Sequence, residues 1–162
     1  YCAGTVWGRS GVNYYLLDLI YDHMDFVLAK KAVRALYQKH PWASQILIED
    51  KANGTAIIQS LRKVVHRIIG INPTESKIAR TYAISPLLEA GNVYLPDKTC
   101  APWIDEFVLQ CARFPNAAHD DFVDSMTQAL SRLSRVVPEE AATQARRARA
   151  NAPVGYRPGR VA

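Results

Sequence analysis

The feature that most constrains the fold is the alternation of strand-like and helix-like segments along the chain. The first two strand-like segments, YCAGTVWGR and YYLLDLIYDHM, flank the turn signal SGVN and predict a hairpin. Two shorter apolar segments, SQILIED and RIIGINP, predict further strands between segments of helical periodicity. Strands that alternate with helices are typical of an α/β sheet covered on its faces, and the initial hairpin makes that sheet mixed rather than purely parallel.

Start and stop signals give the predicted helices their bounds. Asp25 is a predicted N-cap, and the helix after it is expected to stop at Pro41. The segment TESKIARTYAISPLLEAGN begins with a capping pattern and ends near Gly91. The predicted order is β-β-α-β-α-β-α followed by two further helices, with at most a small strand in VYLP. The last helix carries an apolar stripe: Phe122, Met126, Ala129, Leu130 and Leu133.

The amino-acid composition and the distribution of charge indicate a soluble globular domain followed by a basic tail. Hydrophobic residues make up 49% of the 162 residues, and no apolar run reaches the length of a membrane span. The net charge is +5, and the stretch QARRARANAPVGYRPGRVA holds five arginines and no acid. We therefore expect a folded domain over residues 1–136 and an Ala/Arg/Pro-rich tail over 137–162. The first residue is Tyr rather than Met, which suggests a piece of a longer protein.

Three carboxylates are crowded into the stretch FPNAAHDDFVDSMTQAL. Asp120, Asp121 and Asp124 follow His119 directly and stand at the start of the last predicted helix. Acids in a first helical turn satisfy free N–H groups and complement the helix dipole. Acids beside a histidine can also hold a divalent metal, because Mg²⁺ and Mn²⁺ prefer oxygen ligands. The motif alone favours the helix cap, and both interpretations stay open.

A second pair of acids, Glu49 and Asp50, ends a predicted buried strand. The carboxyl ends of strands form the ligand-binding edge of open α/β sheets. A plain alternative is that Glu49 caps a turn or pairs with Lys51, since an acid at a buried strand end needs compensation. If the two acidic clusters meet, they form an oxygen-lined site for one or two metals, which suits phosphodiester hydrolysis.

Three separated blocks and the initial hairpin carry a family resemblance. ILIEDKANG, ESKIARTYAISPLLEAGNVYLP and FPNAAHDDFVDSMTQAL resemble, in order and spacing, the C-terminal nuclease domain of the large terminase subunit of tailed bacteriophages. The resemblance runs from Tyr1 to Leu133. It implies an RNase H-like (retroviral integrase-type) mixed sheet flanked by helices, and a metal-dependent endonuclease that cuts concatemeric double-stranded DNA with two Mg²⁺ or Mn²⁺ ions in the complete domain.

The resemblance also implies partners and a location. A DNA-packaging terminase works with an ATPase motor domain, the portal and the small terminase subunit, and it has no membrane partner. A phage or prophage protein of this kind would act in the cytoplasm of the bacterial host. The chain holds no G-x-x-x-x-G-K-[ST] loop, so we do not expect it to hydrolyse ATP itself.

By resemblance, the metal ligands are carried over position by position. Glu49 matches the acid that ends the fourth strand of the fold, with Asp50 as its substitute. Within HDDFVD the resemblance favours Asp121 and Asp120, while Asp124, one turn further, remains a further candidate.

Three other residues are candidates for contacts with DNA. Lys77 and Arg80 match basic positions of the family and are expected to contact phosphates, although a solvated helix face explains them equally well. His119 is a candidate for contact with a ligand, a water or the scissile phosphate, or is a plain surface histidine.

The chain departs from the family pattern at one ligand. The family's first metal-binding aspartate lies on a first strand that no residue here matches, and Asp18 falls in the third-strand block. We therefore expect weak metal binding, poor cleavage and self-association through an exposed strand edge. The alternatives are another RNase H-like nuclease, such as a junction resolvase or RNase H, and a degenerate prophage module that binds DNA or protein without turnover.

Overall fold

Strands and helices alternate in the predicted order. The computed structural model describes residues 1–51 and 53–135, so the predicted tail over 137–162 lies outside the described residues. The strands are β1 (Cys2–Ser10), β2 (Asn13–Asp22), β3 (Ile46–Glu49), β4 (Ile68–Ile71) and β5 (Val93–Tyr94). The helices are α1 (Phe26–Lys39), α2 (Asn53–Leu61), α3 (Lys77–Glu89), α4 (Ile104–Arg113) and α5 (Asp121–Arg135).

The strands form two separate sheets. β1 pairs with β2 as the predicted antiparallel hairpin, and the short strand β5 joins β2 in parallel. β3 and β4 pair in parallel and form the second sheet. The α/β class with antiparallel and parallel pairing is confirmed. In the described part of the chain, however, β1 and β3 are not hydrogen-bonded to each other.

The helix ends follow the signals read from the sequence. The Asp25 carboxylate accepts a hydrogen bond of 2.8 Å from the backbone N–H of Leu28 and caps α1 as predicted. α1 ends at Lys39, just before Pro41. After α3, the positive φ of Gly91 (71°) reverses the chain, a conformation that glycine adopts without the steric penalty of a Cβ.

Two hydrophobic clusters match the two sheets. The larger one joins the hairpin to α3, α4 and α5, and its centre is the ring pair Phe107 and Phe122, with centroids 5.4 Å apart. The smaller one joins α1 and α2 to β3 and β4 through Ile57, Leu61 and Val65. Full burial of one such large side chain contributes about 1.5–3 kcal/mol. Among the described helices, none is long and apolar enough to cross a bilayer.

Candidate active site

The acids at the start of α5 divide between two sides of the helix. Asp120 and Asp124 are four residues apart, so their side chains share a face, and that face is turned to α3. The Nζ atom of Lys77 lies 2.6 Å from Oδ1 of Asp120 and 2.6 Å from Oδ2 of Asp124. The Nη2 atom of Arg80 lies 2.6 Å from Oδ1 of Asp124. These ion pairs tie the first turn of α3 to the first turn of α5.

This α3–α5 ion-pair cluster (Lys77, Arg80, Asp120 and Asp124) is partly buried. Desolvation acts against the charged form of Lys77, but the hydrogen bonds to Asp120 and Asp124 outweigh it, so the pKa of Lys77 is raised. The Arg80 side chain is only 12% exposed, and its Nε and Nη1 atoms are buried without a hydrogen-bond partner among the described residues. Asp124 therefore balances the positive charge of this enclosed side chain.

Asp121 points to a different side of α5. Together with Ser125 and Gln128, four and seven residues further along the same face, it lines a cavity of about 770 Å³. Asp124 borders this cavity as well as the ion-pair cluster. Within the described residues, no side chain forms an ion pair or hydrogen bond with the Asp121 carboxylate.

Glu49 lines the same cavity. It is the last residue of β3, and its Oε2 atom accepts a hydrogen bond of 3.1 Å from Nε2 of Gln128. Its Oε1 atom lies 3.3 Å from Nζ of Lys51, as the plain interpretation of the sequence predicted. The Glu49 side chain remains 37% exposed, so it is accessible to a ligand. The structure thus brings Glu49 and Asp121 to one cavity from positions far apart in sequence.

A glycine sets the position of Glu49. The start of α2 passes so close to the end of β3 that a Cβ on Gly54 would lie 1.8 Å from the carbonyl oxygen of Glu49. Only a residue without a side chain fits there, because real Cβ atoms do not approach a backbone oxygen so closely. The glycine in the turn after IED was visible in the sequence, but its close approach to Glu49 depends on the tertiary fold.

The other predicted site residues lie elsewhere. Asp50 accepts a hydrogen bond of 2.7 Å from the Thr55 hydroxyl and so supports the start of α2. His119 is exposed, and the centroid of its ring lies 4.7 Å from that of the Tyr1 ring. Tyr1 is one of the residues that line the cavity. Sequence reasoning missed Gln128, although its spacing of seven residues from Asp121 places both on one face of a helix.

Asp18, which the sequence analysis did not promote, has a structural role. Its buried carboxylate lies 2.7 Å from Nε2 of His40 and 2.8 Å from Nζ of Lys39, at the end of α1. Burial alone would raise the pKa of Asp18, but hydrogen bonds from His40, Lys39 and a backbone N–H together lower it. These contacts hold the end of α1 against β2. Asp18 therefore belongs to neither of the two acidic clusters.

The side chains at the cavity offer the type of ligand that a divalent metal prefers, but too few of them. Carboxylate oxygens are the ligands that Mg²⁺ and Mn²⁺ prefer, and Glu49 and Asp121 face one cavity. Within residues 1–51 and 53–135, however, no three His, Cys, Asp or Glu side chains converge to hold an ion. Two carboxylates alone do not make a complete metal site, so further ligands would have to be supplied.

The fold and these positions define a class of protein. The α/β class, the acid at the end of β3 and the acid at the start of α5 agree with the layout that the resemblance to RNase H-like nucleases implies. The family model of the terminase RNaseH-like domain matches residues 1–133, so the chain belongs to this family. The comparison with curated proteins gives no match. Membership in the family supports a nuclease-type role in a terminase.

Proposed function

We propose that this chain is the metal-dependent endonuclease domain of a phage DNA-packaging terminase and cuts concatemeric double-stranded DNA. The observation that carries the proposal is the meeting of Glu49 and Asp121 at one cavity, within residues that match the terminase RNaseH-like domain. Phage DNA in the cytoplasm of the bacterial host is the corresponding substrate, and the motor domain, portal and small subunit are the corresponding partners.

Glu49 and Asp121 are the proposed metal ligands. These two carboxylates would hold Mg²⁺ or Mn²⁺, whose chemistry there would be to activate a water and to stabilise the leaving oxygen of the phosphodiester. Gln128 orients the Glu49 carboxylate by donating to Oε2, and Lys51 balances part of its charge. Positioning of this kind typically changes metal affinity by about 10–100-fold.

Asp120 and Asp124 have a supporting role in this proposal. Their ion pairs with Lys77 and Arg80 hold the start of α5, and therefore Asp121, in place. The Lys77 side chain is 40% exposed and can also contact a DNA phosphate, whereas Arg80 is largely enclosed. His119 is the proposed phosphate contact at the Tyr1 end of the cavity.

Calorimetric titration of the 162-residue chain with Mn²⁺ tests the proposal. We expect weak binding that Glu49→Gln and Asp121→Asn each reduce by about tenfold or more. Asp105→Asn is the matched control, because Asp105 is an exposed acid (73%) on α4 away from the cavity. Equal affinities for the wild type and the two cavity variants would contradict the ligand assignment.

A cleavage assay separates the proposed substrate from its rivals. Linear duplex, four-way junction and RNA–DNA hybrid are offered with Mn²⁺ at several salt concentrations. Preferential nicking of the duplex, weakened by salt because phosphate contacts dominate affinity, supports the terminase assignment. Preference for the junction or the hybrid would instead indicate a resolvase or RNase H type. Because poor cleavage is expected without the family's first aspartate, a module without turnover is indicated only if Mn²⁺ binding and DNA binding both occur and Glu49→Gln and Asp121→Asn change neither.

A further inference from the structure

The positive charge of the domain is concentrated in one segment. Residues 26–74 carry eight lysines and arginines against two acids, while residues 1–25 and 75–135 together carry seven against eleven. The two acids of the basic segment are Glu49, the last residue of β3, and Asp50 directly after it. An ordinary solvated surface mixes both signs of charge, whereas a surface of one sign is typical of a site for a partner of the opposite charge.

Helices α1 and α2 lie side by side on one face of the β3–β4 sheet. Both share a hydrophobic cluster with Ile46 and Ile48 of β3 and Ile68 of β4. Alternate residues of a strand point to opposite faces of the sheet, so Glu49 points to the other face, where Gln128 of α5 donates to it. The outer sides of α1 and α2 therefore form one surface that is turned away from α5.

Helical spacing brings the basic residues of α1 to this outer surface. The inner side of α1 packs into the cluster through residues four apart: Ala29, Val33 and Tyr37. Lys31 and Arg34 lie on a different side of the helix and are exposed, and so are Arg62 and Lys63, which follow the end of α2. Within residues 1–51 and 53–135, none of these four side chains forms an ion pair or a side-chain hydrogen bond. We call these four residues the basic face.

The basic face reaches from the far end of α2 toward the proposed metal ligand. α2 starts where Gly54 passes the carbonyl oxygen of Glu49, and the exposed Nζ atom of Lys51 lies 3.3 Å from Oε1 of Glu49. The nine residues of α2 extend ~14 Å from there to Arg62 and Lys63. Double-stranded DNA carries one charge per ~1.7 Å of its axis, so about eight phosphate charges lie along that length.

We propose that the basic face binds the phosphate backbone of double-stranded DNA beside the cavity that Glu49 and Asp121 line. The choice of DNA as the polyanion rests on the proposed function. The exposed residues of α1 and α2 include no Phe, Tyr or Trp, which are the usual anchors at the centre of a protein interface. The Arg-rich residues 136–162 have the same sign of charge as the basic face and do not complement it.

The basic face has a different role from Lys77 and His119. Those two residues are the proposed phosphate contacts close to the acids of the first turn of α5. The basic face lies on the opposite side of the β3–β4 sheet from α5, so it holds the duplex on either side of the cut rather than at the reacting phosphate. Contacts of this kind carry no base readout and supply affinity that falls with salt.

Fluorescence anisotropy of a labelled duplex, titrated with the 162-residue chain in EDTA at several salt concentrations, tests the proposal. EDTA removes metal, so this binding does not depend on the cavity acids. The two variants are Lys31→Gln with Arg34→Gln, and Arg62→Gln with Lys63→Gln. We expect each to lower the slope of log affinity against log salt by about 1.8, and to reduce affinity at least tenfold at ~0.1 M salt.

Two control variants separate the basic face from charge in general. Lys98→Gln with Arg113→Gln removes the same charge from exposed positions beside and on α4, and we expect less than about a twofold loss of affinity. Lys31→Arg with Arg34→Lys keeps the charge of the basic face and should keep the affinity. Circular dichroism checks that each chain is folded, which the exposure of these side chains leads us to expect.

Four outcomes would overturn the proposal. The first two are unchanged affinity in the variants of the basic face, and an equal loss in the α4 control. The third is tighter binding of a poly-glutamate peptide than of the duplex, which would assign the basic face to an acidic protein segment. The fourth is a dimer at low salt that the variants of the basic face dissociate, which would assign it to the acidic part of a second copy.

The Mn²⁺ titration keeps this proposal distinct from the proposed function. If Glu49→Gln and Asp121→Asn weaken Mn²⁺ binding while the variants of the basic face bind DNA like the wild type, the basic face alone is wrong. If the variants of the basic face lose DNA binding while Glu49→Gln and Asp121→Asn bind Mn²⁺ like the wild type, the ligand assignment alone is wrong.

Discussion

The two sides of the first turn of α5 carry the same residue type and have different roles. On the side of α3, Asp120 and Asp124 are held by Lys77 and Arg80 at 2.6 Å, in a partly buried cluster. On the side of the cavity, Asp121 lacks an ion-pair partner within the described residues and lines the same cavity as Glu49. Paired acids serve stability, whereas an acid left unpaired beside a cavity is available for chemistry.

The largest expected effect is on the paired side. Asp124→Ala removes the carboxylate that balances the enclosed Arg80 and leaves that cation uncompensated. We expect a loss of about 2–3 kcal/mol in the free energy of unfolding, below the ~3–5 kcal/mol of a fully buried pair because Asp124 is 21% exposed. Urea denaturation measures it. An effect below about 0.5 kcal/mol, as for ordinary surface substitutions, would break the contrast between the two sides.

The second effect concerns the close approach of Gly54 to the end of β3. Gly54→Ala forces a Cβ against the Glu49 carbonyl, so the start of α2 or the end of β3 must move. We expect a loss of about 1–3 kcal/mol in unfolding free energy, as for other overpacked sites, together with weaker Mn²⁺ binding. Thermal unfolding and calorimetry measure the two effects.

Gly8→Ala is the control for this change. A Cβ at Gly8 meets only the flexible Leu17 side chain, at 3.1 Å, which can turn aside. Equal losses of stability in the two variants would show that the approach of Gly54 to Glu49 has no special importance.

The sequence predicted the elements but not the division of roles among the acids. Local signals, such as the cap at Asp25 and the stop at Pro41, depend on a few neighbouring residues and were confirmed. The shared face of Asp120 and Asp124 also follows from helical spacing alone. Which face meets α3 depends on Lys77, 43 residues from Asp120, and no local pattern carries that information.

The division of the strands into two sheets was beyond sequence patterns for the same reason. Periodicity shows that β1 and β3 are strands, but their partners are set by long-range packing. The contact between Gln128 and Glu49, 79 residues apart, is another such case. The resemblance to a family gave Glu49 and Asp121 as candidates, and the structure adds the cavity at which they meet.

A smaller effect tests the paired side by pH. The pKa of Lys77 is raised in the folded state, so its contribution to stability is fully present below its ordinary pKa of 10.5 and is lost as pH rises through the folded value. We expect the unfolding free energy to fall above about pH 10.5 and Lys77→Met to reduce that slope. Because Lys77 is 40% exposed, solvent screening keeps the effect small. An identical slope in the variant would place the titration elsewhere.

The smallest expected effect, on the cavity side, is the most informative about function. Asp121→Asn keeps the size of the side chain and breaks no ion pair among the described residues, so the unfolding free energy should change by about 0.5 kcal/mol or less. Urea denaturation without metal measures this change, with Asp120→Asn as the adjacent control that does lose an ion pair to Lys77. A clear destabilisation by Asp121→Asn would mean that this carboxylate supports the fold like its neighbours, and the cavity would lose its candidate ligand.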